Sequence, residues 1–238
     1  MNHLLARCRA VLLLLSATLA APASANLSVH PMRLPVQDHR GGQIRVYSQT
    51  PRVQYVQTRV LRMEHPGTAN EQEVEVAAGH TEGIVVTPAK FVIAGGGNRL
   101  VRVIPLAAVT EETAYRVYFE GVAPPNETGT DVPTDDAASA SVGVSLVWGA
   151  LVHLIPAQPV PDMRIDGRNL HNTGNVRLGV TGVQACDARN QCTTHALEKS
   201  VYPGARLALP FDPADQRITV TYHLSYAGYR EHTWMLAP

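Results

Sequence analysis

The side chains able to act as acid, base, nucleophile or metal ligand are scattered rather than grouped. Ten histidines and 20 acidic residues are spread over 238 positions. His30, His39, His65 and His80 stand beside expected turns, where an imidazole is ordinarily solvated. The chain contains neither a Gly-x-Ser-x-Gly elbow nor a His-Glu-x-x-His pair, and no phosphate loop or Gly-x-Gly-x-x-Gly turn joins a strand to a helix. Gly95-Gly96-Gly97 has the freedom to cradle an anion, but with no helix behind it the run reads as a hairpin loop. Cys186 and Cys192 have His195 close by, yet a tetrahedral zinc site needs four ligands and no second pair is near. A disulfide across the turn-like stretch 187–191 suits the two cysteines better. No metal and no other cofactor is expected. Asn126-Glu127-Thr128 matches a glycosylation acceptor by spacing alone.

One pattern has the regularity the polar residues lack. Val142, Val144, Leu146 and Trp148 alternate with Gly143, Ser145, Val147 and Gly149, and the apolar run continues through Ile155 to Pro156. A period of two places the first four on one side of a strand, 14 residues long in all. Two roles suit such a strand. It is either a central strand buried in its own sheet, or an edge strand that pairs with a partner's open sheet while alternate side chains fill the partner's groove. In the second role each enclosed Val or Leu contributes roughly 1.5 to 3 kcal/mol. Residues 124–140, directly before it, are rich in Pro, Asn, Gly, Thr, Ala and Ser, with three Asp, one Glu and no basic residue. Loops beyond about 12 to 15 residues are uncommon in compact domains unless they serve a function.

The elements that hold this strand read as all-β. Valine is abundant, and apolar and polar residues alternate over short stretches. Gly, Pro and Asn recur every ten or so residues, and no helical period is sustained. Strands are expected over 44–47, 53–63, 73–76, 84–87, 91–93, 100–104 and 115–122. Residues 91–93 and 100–104 are expected to form a hairpin about the glycine run. Pro156, Pro159 and Pro161 form a stiff linker, taken as the boundary between two domains. Beyond it, strands over 163–165, 176–183, 206–209 and 218–226, a cysteine hairpin and a last segment near Trp234 make a second, smaller sandwich.

Composition narrows the function classes. With 20 basic against 20 acidic residues and 17% charged side chains, the chain lies below the roughly 25% usual for globular proteins and shows no polybasic patch for nucleic acid. Residues 1–25 have a basic start at Arg7 and Arg9, an apolar stretch and Ala23-Ser24-Ala25, which together read as a cleaved secretory signal. Its removal leaves 18 basic against 20 acidic residues and places the cysteine pair in an oxidising compartment. The apolar stretch is too short to span a membrane, so no membrane insertion is expected.

Over essentially the whole mature length the sequence resembles the periplasmic chaperones of chaperone-usher pilus assembly. The likeness is strongest to the alternate class that serves coli-surface-antigen, CS1/CFA-like fimbriae. The residues that carry it are Arg45-Val46-Tyr47-Ser48, Val85-Val86-Thr87-Pro88 with the following expected hairpin, and Tyr115-Arg116-Val117-Tyr118-Phe119-Glu120. They continue in the strand ending Ala150-Leu151-Val152-His153-Leu154-Ile155-Pro156 and in Gly174-Asn175-Val176-Arg177. The resemblance implies two immunoglobulin-like β-sandwich domains set in an L, residues 26–157 and 158–238. It also implies that Val142, Val144 and Leu146, with Trp148 extending the row, are lent to a pilin subunit that lacks its last strand. In one branch of that family two basic residues in the cleft hold the subunit's terminal carboxylate. Arg33, in His30-Pro31-Met32-Arg33-Leu34, matches the first, while the lysine position holds Leu151; His153 and Arg102 are candidates for the missing charge. The partners implied are fimbrial subunits and an outer-membrane usher, with self-association through the same strand while no pilin is bound. Two rival classes are a pilus subunit or adhesin, which needs an alternating N-terminal donor segment, and a secreted enzyme on a β scaffold, which needs converging catalytic groups.

Overall fold

The computed structural model describes residues 26–37, 40–76, 79, 81–124 and 146–236. The expected signal segment, His39, His80, the glycosylation motif and most of the acidic loop lie outside these, as do Val142 and Val144.

Before the proline linker the described residues form ten strands. They are β1 (Leu27–His30), β2 (Arg33–Gln37), β3 (Gly42–Ser48), β4 (Gln54–Glu64), β5 (Gln72–Glu75), β6 (Ile84–Thr87), β7 (Lys90–Ile93), β8 (Asn98–Pro105), β9 (Thr113–Val122) and β10 (Val147–Ile155). One sheet runs β1-β3-β8-β6; the facing sheet runs β2-β10-β9-β4-β5, with β7 also on β4. Alternation does the work in each. In β3, Ile44 and Val46 are buried while Gln43 and Arg45 are exposed. In β9, Val117 and Phe119 are fully buried between half-exposed neighbours. The inward rows of both sheets meet in one core that includes Ile84, Val101, Val103, Val152 and Leu154, the two-layer solution for sheets with one apolar face.

The expected hairpin over 91–104 is not formed, which corrects the sequence reading. β7 pairs with β4 and β8 with β3 and β6, so the glycine run carries the chain from one sheet to the other. Its glycines make a tight turn, closed by the Gly97 N–H donating to Ala94 O at 2.9 Å, and also serve close approach. A Cβ on Gly95 would stand 2.0 Å from the Pro51 carbonyl oxygen, and the Gly96 N–H donates to Thr50 O at 2.9 Å. The turn chemistry is legible in the sequence, but which sheet each flanking strand joins is a tertiary decision.

Seven strands follow the linker: β11 (Met163–Asp166), β12 (Asn169–Asn172), β13 (Leu178–Cys186), β14 (Cys192–Val201), β15 (Arg206–Ala208), β16 (Arg217–His223) and β17 (Glu231–Leu236). They build the sheets β11-β12-β15 and β14-β13-β16-β17 around a separate core of Leu170, Leu178, Val183, Ile218 and Val220. Cys186 and Cys192 are ladder partners at the tip of β13 and β14 and are joined as a disulfide, as expected. The Asp187 carboxylate shapes the five-residue turn between them by accepting from the N–H groups of Arg189 and Gln191, both at 2.8 Å. His195 is stacked on Phe211. The Cys186→Ala, Cys192→Ala double variant is expected to lose about 2 kcal/mol of unfolding free energy, from loop closure over so short a segment, as read from urea unfolding followed by circular dichroism.

Candidate functional site

β10 is two strands in one. Its second half is flanked on both sides, by β9 in antiparallel register and by β2 in parallel register from Leu151↔Arg33 to Ile155↔Gln37. Its first half, from Val147 to Ala150, has β9 on one side and, among the described residues, no strand on the other. The side chains make the same transition. Ala150, Val152 and Leu154 enter the first core at 1% exposure or less. Trp148 is half-buried against that core, and Leu146, of the same parity, is 48% exposed. The alternation that fills this chain's own interior therefore runs on past the end of β2 into an open flank. Trp148 sits at the transition and belongs in part to the chain's own core. The 14-residue strand of the sequence reading is a nine-residue strand here, with 142–145 outside the described residues.

On the other face of this sheet, Gly149 leaves room for its neighbours. A Cβ there would stand 2.9 Å from Tyr118 Cε1 and 3.0 Å from Arg116 Cδ. The Tyr118 hydroxyl donates to Glu73 Oε2 at 2.7 Å, and that hydrogen bond to the carboxylate pushes the phenol above its ordinary pKa. Arg59 lies over the Tyr118 ring, and Arg116 Nε lies 3.3 Å from Glu73 Oε1.

Arg33 lies where the two halves of the molecule meet. Leu34 and Val36 enter the first core, so Arg33 faces outward beside its ladder partner Leu151, is exposed, and holds its guanidinium 5.9 Å from the centre of the Tyr229 ring. Leu151 packs with Met63 and Ala114 under Tyr202, which arrives from the end of β14. Burial pushes the Tyr202 phenol well above its ordinary pKa, so it remains a neutral cover over the leucine.

Neither of the other two candidate cations joins Arg33. His153 is 1% exposed. Its Nδ1 lies 2.9 Å from Glu112 Oε1, off the line of a hydrogen bond, and its ring stacks against Tyr202. An imidazole enclosed in this way cannot meet an incoming carboxylate. Arg102 stands between the fully buried Val101 and Val103 on β8. It thus points outward from the opposite sheet, into a shallow groove with Arg40 and Gln43, across the sandwich from β2.

The joint itself is built around a residue the sequence reading passed over. The Glu112 side chain is wholly buried. Its Oε2 accepts the backbone N–H of Arg177 at 2.8 Å, its Oε1 accepts the Ser225 hydroxyl at 3.1 Å, and its own N–H donates to Asn175 O at 2.8 Å. Arg177 bonds Ser200 Oγ through Nε at 3.0 Å. Asn175 ties the linker down: Nδ2 donates to Thr110 O and Gln158 O, and Oδ1 accepts from the N–H of Val160. A Cβ on Gly174 would meet Val160 O at 2.3 Å, and one on Gly67, where φ is +76°, would meet Ser200 O at 2.4 Å. The segment Gly174-Asn175-Val176-Arg177 is thus the clasp between the halves. A lone Glu ahead of a strand carries no sequence signal of burial, so only the fold reveals its partner.

Comparison with known proteins agrees with this architecture. No family model matches the chain. A CS1 fimbrial subunit of Escherichia coli is 29% identical over 192 residues, 77% of this chain and 79% of that protein. A CFA/I fimbrial subunit of the same organism is 29% identical over 190 residues, 76% and 78% respectively. Among solved structures, the class 5 fimbriae chaperone CfaA superposes with a TM-score of 0.76 at 24% identity, over 90% of this chain and 100% of that one. The periplasmic chaperone SfaE does so with 0.54 at 14%, over 89% and 100%. The fold is therefore all-β with two immunoglobulin-like sandwiches, as the resemblance drawn from the sequence implies.

Replacing Glu112 by Ala leaves the Arg177 N–H and the Ser225 hydroxyl without their acceptor. It is expected to lower the unfolding free energy by about 3 kcal/mol, measured by urea titration. Gly67→Ala is expected to destabilise in the same direction, since both its φ and the Ser200 carbonyl exclude a side chain.

Proposed function

We propose that the chain is a periplasmic chaperone that lends a strand to fimbrial subunits lacking their last one and yields them to an outer-membrane usher. A single observation carries this reading: the core-facing alternation of β10 continues beyond β2 into a flank paired on one side only, with Leu146 exposed. A free strand edge with an apolar row invites aggregation unless a partner covers it. A pilin with an open groove is that partner, its backbone extending the ladder and its groove taking Val142, Val144 and Leu146. The domains are 26–157 and 158–238, after removal of 1–25 on export. Among the described residues no helix is long and apolar enough to cross a membrane. The role involves no bond making or breaking, and the same edge accounts for self-association when no pilin is bound. Arg33, facing outward at the junction of the halves, is the group that meets the pilin's terminal carboxylate, in a clamp suited to a guanidinium.

The names of the two sequence relatives favour a second reading, in which the chain is itself a fimbrial component. Against it, β10 already stands between β9 and β2 and completes this chain's own first sandwich, whereas a pilin in need of a donor has that place empty. Fractionation separates the two readings: a pilin is recovered in surface fibres, a chaperone in the periplasmic extract.

Val144→Arg and Leu146→Arg are expected to leave the chain folded by circular dichroism. With a co-expressed CFA/I-type pilin, each should cut recovery of the soluble complex about tenfold or more, the equivalent of removing one buried aliphatic side chain. Undiminished complex in both variants overturns the strand assignment.

A further inference from the structure

Three departures from the ordinary meet at Tyr229. Its backbone is left-handed, φ 56°, directly after Gly228 at φ 67°, a conformation a bulky residue keeps only when its surroundings impose it. Its phenol oxygen is buried and has no hydrogen-bond partner among the described residues. Its ring lies beneath the Arg33 guanidinium. Native structures rarely keep a buried hydroxyl unpaired, and the exceptions call for a use. The neighbouring ladder position offers no second charge, because Leu151 is apolar and covered by Tyr202.

We infer that the Tyr229 hydroxyl is the second arm of the carboxylate clamp. It donates a hydrogen bond to the pilin's terminal carboxylate while Arg33 supplies the charge. This rests on the chaperone reading above and assigns the partner of Arg33 within it. A carboxylate accepts from several donors at once, so a guanidinium and a phenol bind it together without a second buried cation. The Arg33 side chain is exposed and lies over the ring. A carboxylate drawn to the guanidinium arrives beside this ring, and the hydroxyl then gains the partner it lacks in the free protein.

The test uses the full chain and a CFA/I-type pilin in two forms, one with its native C-terminus and one extended by six residues so that the carboxylate is displaced. Tyr229→Phe is expected to raise the Kd for the native form about tenfold, the effect of one lost hydrogen bond to a charged group, and to leave the Kd for the extended form unchanged. Arg33→Ala is expected to show the same selectivity for the native form. Tyr229→Phe should unfold at a urea concentration no lower than the parent, since it removes an unpaired polar atom. Were Tyr229→Phe to bind the native form as the parent does while Arg33→Ala weakened the native form alone, the phenol would be no arm of the clamp and the chaperone reading would stand. Were neither variant to weaken binding of the native form more than that of the extended form, the clamp itself would be overturned. The strand variants Val144→Arg and Leu146→Arg report separately on the chaperone reading.

Discussion

A carboxylate shut away from water is tolerable only where donors converge on it, and Glu112 has its donors supplied from the other half of the molecule. The Arg177 N–H and the Ser225 hydroxyl belong to the second sandwich, while Glu112 itself leads into β9 of the first. Each would be left unsatisfied if the halves slid past one another while still closed, and burial without a partner costs more than one such bond contributes. The two sandwiches are therefore held in one arrangement by a polar contact rather than by a broad apolar seam. Gly67, with no side chain to interpose, lets the first half's backbone approach the Ser200 carbonyl of the second.

The rest of the cleft follows from that arrangement. With the halves so placed, Tyr202 covers Leu151 and Tyr229 comes beneath Arg33. His153 is drawn into the joint and away from any ligand. At the opposite end of β10 the governing constraint is different. There the strand outruns β2, so among the described residues its first half has no strand on one side, and Leu146, beyond Trp148, is exposed. One strand thus links a closed polar joint to an open apolar edge, and the core-facing residues between them, Ala150, Val152 and Leu154, hold both ends in register.

Legibility from sequence divides along physical lines. The period of two is plain in β3, β9 and β10, because one buried face imposes it on every residue. The disulfide is readable because six positions and one turn separate the cysteines. The glycine run reads correctly as a place needing freedom and incorrectly as a hairpin, since a crossing between sheets and a hairpin ask for the same residue types. His153 and Arg102 are candidates by charge type alone. The first is enclosed with Glu112 and the second faces out from the far sheet, and neither fact leaves a mark on the local sequence.

What the amino-acid order determined alone was the class of structure, the export-compatible cysteine pair, the break at the three prolines and the row from Val142 to Trp148. All of these are written in local spacing, where one residue constrains the next. Tertiary structure alone decided which residue buries a charge, which strand is left with a bare side, and which aromatic ring lies under Arg33. Those are meetings of residues 65 to nearly 200 positions apart, and such meetings depend on how whole sheets settle against one another rather than on any neighbour in the chain.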